Sequence, residues 1–87
     1  MGASKAKTVP KRQGKNIIGQ RVRLARGKGE PPLTQDQLSG RLASQSVSLD
    51  RAAIAKIESG LRSVHDYEVV ALARALKVDV RWLLGVE

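Results

Sequence analysis

Val69, Leu72, Ala73 and Leu76 fall at i, i+3, i+4 and i+7 without a miss, which puts four apolar side chains on one face of a helix. Ile18, Val22 and Ala25 repeat that spacing nearer the start, with Arg21, Arg23 and Arg26 on other faces. That first helix is stopped by Gly27-Lys28-Gly29-Glu30-Pro31-Pro32, where two glycines and two prolines forbid continuation. Thr34-Gln35-Asp36-Gln37 fits a capping box, a hydroxyl cap answered by Gln three residues on. It opens a second helix to about Leu42, with Leu38 and Leu42 inward, followed by a polar loop from Ser44 to Ser48. Asp50 suits the N-cap of a third helix through Ser59, and Gly60 suits its C-terminal reversal. Ser63 or His65 caps the fourth helix. Asp79 precedes a short fifth one that carries Trp82, Leu83 and Leu84 and closes at Gly85. Five helices, no strand and no internal repeat predict an all-α domain. Its core is of Leu, Ile, Val and Ala, since the chain has no Phe, one Tyr and one Trp.

The 87 residues suffice for one small domain, able to bury roughly 60% of its unfolded surface. With no cysteine there is no disulfide framework or thiolate site, and a lone His65 builds no histidine metal centre. No metal and no cofactor are therefore expected. The longest apolar run, Val69 to Ala73, falls far short of the roughly 20 residues a membrane span needs. Asp66 and Glu68, two apart on a helix, point to different faces and suit the first-turn dipole better than acid–base catalysis. Gly27-Lys28-Gly29 lacks the pattern of a phosphate loop. No catalytic residue suggests itself, and an enzyme is not expected.

Charge is distributed very unevenly. Residues 1–29 hold nine Lys or Arg and no acid, whereas the remainder holds seven basic and eight acidic residues. Residues 1–15 carry Lys5, Lys7, Lys11, Arg12 and Lys15 with no apolar period, and read as a disordered basic arm on a domain spanning 16–87. Such an arm points to a polyanion, either nucleic acid or an anionic surface, or serves only solubility. No apolar stretch follows the first lysines as a signal segment would require, and a cytoplasmic location is the expectation.

On a helical wheel of the third helix, Ala53, Ile54, Ile57 and Leu61 form the core side. The opposite side is centred on Ala52, Ala55 and Ser59 and flanked by Arg51 and Lys56. Small residues between two long cations let a helix approach a large surface closely. In a DNA major groove, Arg pairs with guanine and an alanine methyl meets a thymine methyl. An ordinary exposed helix is the plain alternative. Glu58 lies at the border of the apolar stripe, where a carboxylate needs a partner, and Arg26 at the end of the first helix is the candidate.

Leu33-Thr34-Gln35-Asp36-Gln37-Leu38, followed by Ile54-Ala55-Lys56-Ile57-Glu58-Ser59-Gly60, resembles the helix-turn-helix of the Cro/C1 (XRE-type) regulators of bacteria and phages. Ile18-Gly19-Gln20-Arg21-Val22-Arg23 is similar to that family's first helix, and Ala71 to Leu84 to its fourth and fifth. Two connections are longer than the family pattern: Gly27 to Pro32, and the eleven residues between Leu42 and Ile54. The resemblance implies a lambda-repressor-like five-helix domain that binds double-stranded DNA as a homodimer, more often a repressor than an activator. By position, it implies base reading by Arg51, Ala52 and Lys56, and phosphate contacts from Gln35, Ser59, Arg62 and Ser63. It also implies the Arg26–Glu58 pair. Trp82, Leu83 and Leu84 are either a lid on the core or a dimer face, and nothing points to a small-molecule effector or a membrane.

Two rivals remain. One is a protein-interaction module, such as an antitoxin-like or adaptor subunit, with an exposed Trp82-Leu83-Leu84 patch. The other is a nonspecific polyanion binder in which only the arm matters.

Overall fold

The computed structural model describes residues 14–86, so Lys5, Lys7, Lys11 and Arg12 of the expected arm lie outside the described residues. Within them, five helices follow in order with no strand: α1 (Gly19–Gly27), α2 (Gln35–Ala43), α3 (Arg51–Glu58), α4 (Asp66–Leu76) and α5 (Val80–Leu84). Their ends follow the local chemistry. The Thr34 hydroxyl accepts from Gln37 N–H at 3.0 Å and the Gln37 carbonyl Oε1 accepts from Thr34 N–H at 2.8 Å, completing the capping box of α2. Asp50 caps α3 by accepting from Ala53 N–H at 2.8 Å, and Asp79 caps α5 by accepting from Arg81 N–H at 2.7 Å.

The C-terminus of α3 is a Schellman turn. Gly60 adopts φ +79°, its N–H bonds the Ile57 carbonyl, and Leu61 N–H bonds the Lys56 carbonyl at 2.8 Å. This turn overturns the expectation that Leu61 joins the core. The helical period ends at Glu58, the chain reverses at Gly60, and Leu61 is left 67% exposed.

The core is aliphatic. Ile18 and Val22 of the α1 segment, Leu38 and Leu42 of α2, Leu49, Ile54 and Ile57 of α3, Leu72 of α4 and Leu83 of α5 are all buried. Leu83 is fully buried, so it cannot contribute to a dimer face or to an open interaction patch. Trp82 packs partly against the core. Arg21 and Lys28 stand 5.1 and 5.0 Å from its ring, and Arg21 Nη1 donates to its carbonyl at 3.1 Å.

The long α2–α3 connection is fastened down. Leu49 is buried, Ser39 Oγ donates to the Leu49 carbonyl at 2.7 Å, and Gln45 Nε2 donates to the Ala71 carbonyl at 3.0 Å. A connection held by its own side chains to α2 and α4 presents the start of α3 in one orientation.

Asn16 ties the start of α1 to the end of α3. Its Oδ1 accepts from Ile18 N–H at 3.0 Å and Gly19 N–H at 2.7 Å. Its Nδ2 donates to the Ile57 and Arg62 carbonyls at 3.0 and 2.9 Å. The helices meet so closely here that a side chain on Gly19 would run into the Ile57 carbonyl oxygen. The ordered domain also begins earlier than the expected boundary after Lys15: Gly14 lies against Gly60, and Lys15 N–H bonds the Gly60 carbonyl at 2.9 Å.

Candidate nucleic-acid interface

The outward side of α3 carries Arg51, Ala52, Lys56 and Ser59, all exposed, with Ala55 half-buried. Arg51 is 70% exposed at its side chain, with Nη1 4.0 Å from Asp36 Oδ2 on α2. At that distance and exposure the pair holds Arg51 only weakly. The two alanines leave the middle of this face flat between the two cations. The residues expected to read bases thus stand together on an accessible surface, and their chemistry suits the edges of base pairs.

Arg26 and Glu58 fix α1 against α3 from below this face. Arg26 Nε lies 2.8 Å from Glu58 Oε2, and Nη2 lies 3.0 Å from Oε1, a two-pronged contact on a carboxylate only 6% exposed. Arg26 Nη1 also donates to the Leu33 carbonyl at 3.0 Å, while its own carbonyl accepts from Leu33 N–H, so this residue closes the glycine–proline loop. The hydrogen bond to Glu58 raises the Arg26 pKa above its ordinary value, against the opposing effect of burial.

Gln35, the first residue of α2, donates from Nε2 to Glu58 Oε1 at 3.1 Å. Its amide keeps a second N–H and its carbonyl for a further partner. The Ser59 hydroxyl donates back to the Ala55 carbonyl at 3.0 Å, with the Lys56 carbonyl at 3.3 Å, so a phosphate contact requires that hydroxyl to turn. Ser63 is exposed, and its carbonyl accepts from Arg62 Nη1 at 2.9 Å.

Arg62 departs most from expectation. Instead of standing free as a phosphate ligand, it forms a second ion pair: Nη1 and Nη2 lie 3.0 and 3.3 Å from the two Glu68 oxygens. Glu68, expected as a solvated first-turn charge, is buried and also accepts from His65 N–H at 2.9 Å. Burial pushes the Glu68 carboxyl up, but the Arg62 guanidinium and the His65 N–H together hold it below the ordinary carboxylate value. The Arg62 pKa is raised, chiefly by the same hydrogen bond. Arg62 therefore joins the stretch after α3 to the first turn of α4.

Asn16 and Glu68 are the two structural determinants that sequence reasoning missed. An Asn just ahead of a helix is a recognisable capping signal, yet neither residue announces its distant partner. Two shallow grooves border α3. One, near 580 Å³, is lined by Arg26, Thr34, Gln35, Asp36 and Arg51 among others. The second, near 270 Å³, is lined by Arg23, Arg26, Gln35, Ala55, Glu58 and Ser59. No group of three or more His, Cys, Asp or Glu suited to a metal occurs among the described residues. No helix among them is long and apolar enough to cross a membrane.

The sequence matches the helix-turn-helix family over residues 33–83, from the residue before the α2 cap through α5. The chain is also similar to the restriction-modification controller protein C.AhdI from Aeromonas hydrophila, known from a crystal structure. The two are 32% identical with a TM-score of 0.63, over 76% of this chain and 86% of that one. No curated protein matches the chain.

Proposed function

This chain belongs to the helix-turn-helix family of Cro/C1 (XRE-type) DNA-binding transcriptional regulators, and we propose that it reads a specific duplex sequence with α3 in the major groove. The observation that carries this reading is the flat outer face of Ala52 and Ala55 between the exposed Arg51 and Lys56. A major groove about 12 Å wide admits a helix about 10–12 Å across only when the approaching face is short-chained. Arg51 and Lys56 reach base edges, Ala52 meets a thymine methyl, and Gln35 at the start of α2 takes a backbone phosphate with its free N–H. The Arg26–Glu58–Gln35 cluster sets the angle between α2 and α3 that both contacts need.

One helix of this size reads few base pairs, so two copies on a two-fold-symmetric operator supply the rest. With Leu83 in the core, Trp82 and Leu84 are what remains of the expected pairing surface. Lys15, at the end of α3, adds salt-dependent affinity. Repression by occupying a promoter follows most directly from a chain with no effector site among its expected features. Likeness to a controller protein favours gene regulation over the adaptor reading, which required an open patch that includes Leu83.

Selection from a random duplex library near physiological salt tests the proposal. Enrichment of an inverted repeat is the expected result, and a single half-site would retain recognition but remove the dimer. No enrichment, with binding that vanishes as salt rises, would overturn specific recognition.

A further inference from the structure

The cations near α3 are mostly committed. Arg26 is bound by Glu58, Arg62 by Glu68, and Arg51 faces Asp36. Arg23 is different: it is exposed, it stands on α1 one turn before Arg26, and it makes no ion pair among the described residues. It forms one wall of the groove near 270 Å³ whose other walls are Gln35 of α2 and Ala55 and Ser59 of α3. Glu58 lines the same groove, but its charge is already met by Arg26. The groove thus presents an unspent guanidinium alongside Gln35, an amide with an N–H to spare.

We propose that Arg23 is a phosphate-binding residue, and that this groove seats a DNA backbone phosphate on the α1 flank of the recognition helix. The proposal rests on major-groove docking of α3 as described above. A helix lying in the groove has a sugar–phosphate strand along each side, and the α1 flank brings Arg23 toward one of them. A guanidinium offers two parallel N–H groups to phosphate oxygens, and Gln35 supplies a third donor from the opposite wall. The role expected of Arg62 passes to Arg23, because Arg62 is held by a buried carboxylate.

The test uses the full chain and the duplex enriched by selection, with Arg23→Gln, Arg23→Lys and Arg62→Gln compared across salt. Arg23→Gln is expected to weaken all duplexes alike, with a melting temperature equal to that of the parent. Losing one phosphate contact shallows the salt slope by about 0.9, so the parent's affinity loss between about 50 and 200 mM exceeds the variant's by about 3.5-fold. Arg23→Lys keeps the slope. A neutral methylphosphonate at the contacted phosphate weakens the parent and leaves Arg23→Gln unaffected. Unchanged affinity and slope in Arg23→Gln, on a duplex that the parent still selects, would overturn the Arg23 assignment alone. So would a loss confined to one base position, which would make Arg23 a base reader. If the parent selects no duplex, major-groove docking fails and the assignment falls with it.

Discussion

Arg26 on α1 and Glu58 on α3 meet through two parallel contacts of 2.8 and 3.0 Å, thirty-two residues apart in the chain, and Gln35 of α2 completes the carboxylate at 3.1 Å. Three helices are therefore referred to one acid, which is 6% exposed. Neighbouring charges at such a point matter chiefly through what remains when one is removed.

Glu58→Ala strands the Arg26 guanidinium and deprives Gln35 of its partner. Removing one member of a buried pair costs about 3 kcal/mol, and in a domain of this size that lowers the melting temperature by more than about 10 °C. Urea denaturation checks it: the midpoint should fall with an unchanged slope. A midpoint equal to the parent's would mean the pair contributes nothing. Gln35→Ala should cost far less, since the Arg26–Glu58 contact survives.

Glu68 makes stability depend on acid. Its folded pKa lies below the value of about 4.3 expected of an unfolded glutamate, so the unfolded chain takes up its proton first as pH falls. The pair's contribution is therefore complete above about pH 5 and is lost as pH drops through the depressed folded value. Glu68→Gln should be less stable than the parent at neutral pH, with the gap closing below about pH 4. A gap that stays constant from neutral pH to pH 3 would show that Arg62 does not depress this carboxyl.

Two glycine-to-alanine changes should have opposite signs. At Gly40 nothing lies within 4 Å of an added methyl group, so Gly40→Ala stabilises α2 by about 0.5–1 kcal/mol. At Gly19 the methyl group meets the Ile57 carbonyl, an acceptor already bonded to Asn16. Gly19→Ala should destabilise by about 1–3 kcal/mol in spite of better helix propensity. Thermal unfolding of the two variants decides the matter, and a stabilised Gly19→Ala would show that α1 and α3 are not in close contact.

Arg51→Ala should reduce affinity for the selected duplex by about 1–3 kcal/mol and relax preference at one base pair. Arg51→Lys should recover little of it, because an ammonium cannot make the paired contact to guanine. Competition binding with single-base variants of the site separates the possibilities. An equal loss on every duplex would assign Arg51 to the backbone.

Features set by neighbours in the chain were legible in the sequence. The Thr34–Gln37 box and the Asp50 cap need only three residues of context, and the Arg26–Glu58 pair followed from a carboxylate on the edge of an apolar stripe. Legibility failed where the chain turns. The wheel assigned Leu61 to the core because it assumes a helix that Gly60 has already ended. The same reversal sets Arg62 against Glu68, a meeting that no periodicity contains. Leu83 was obscured for another reason: a five-residue helix is too short for its period to show which of Trp82, Leu83 and Leu84 faces inward. Asn16 serves carbonyls 41 and 46 positions away, a connection that exists only once α1 lies across the end of α3.

The contact between Lys15 and Gly60 fixes the place where residues 1–13 join the domain. Lys5, Lys7, Lys11 and Arg12 are moored beside the last turn of α3, on a tether of thirteen residues that spans at most about 45 Å. Cations held on so short a leash meet a duplex already occupied by α3 at an effective concentration of order millimolar. Their contribution is one of avidity. It slows departure from any duplex alike and leaves the choice among duplexes to α3, so residence time and selectivity can be tuned by separate stretches of one small chain.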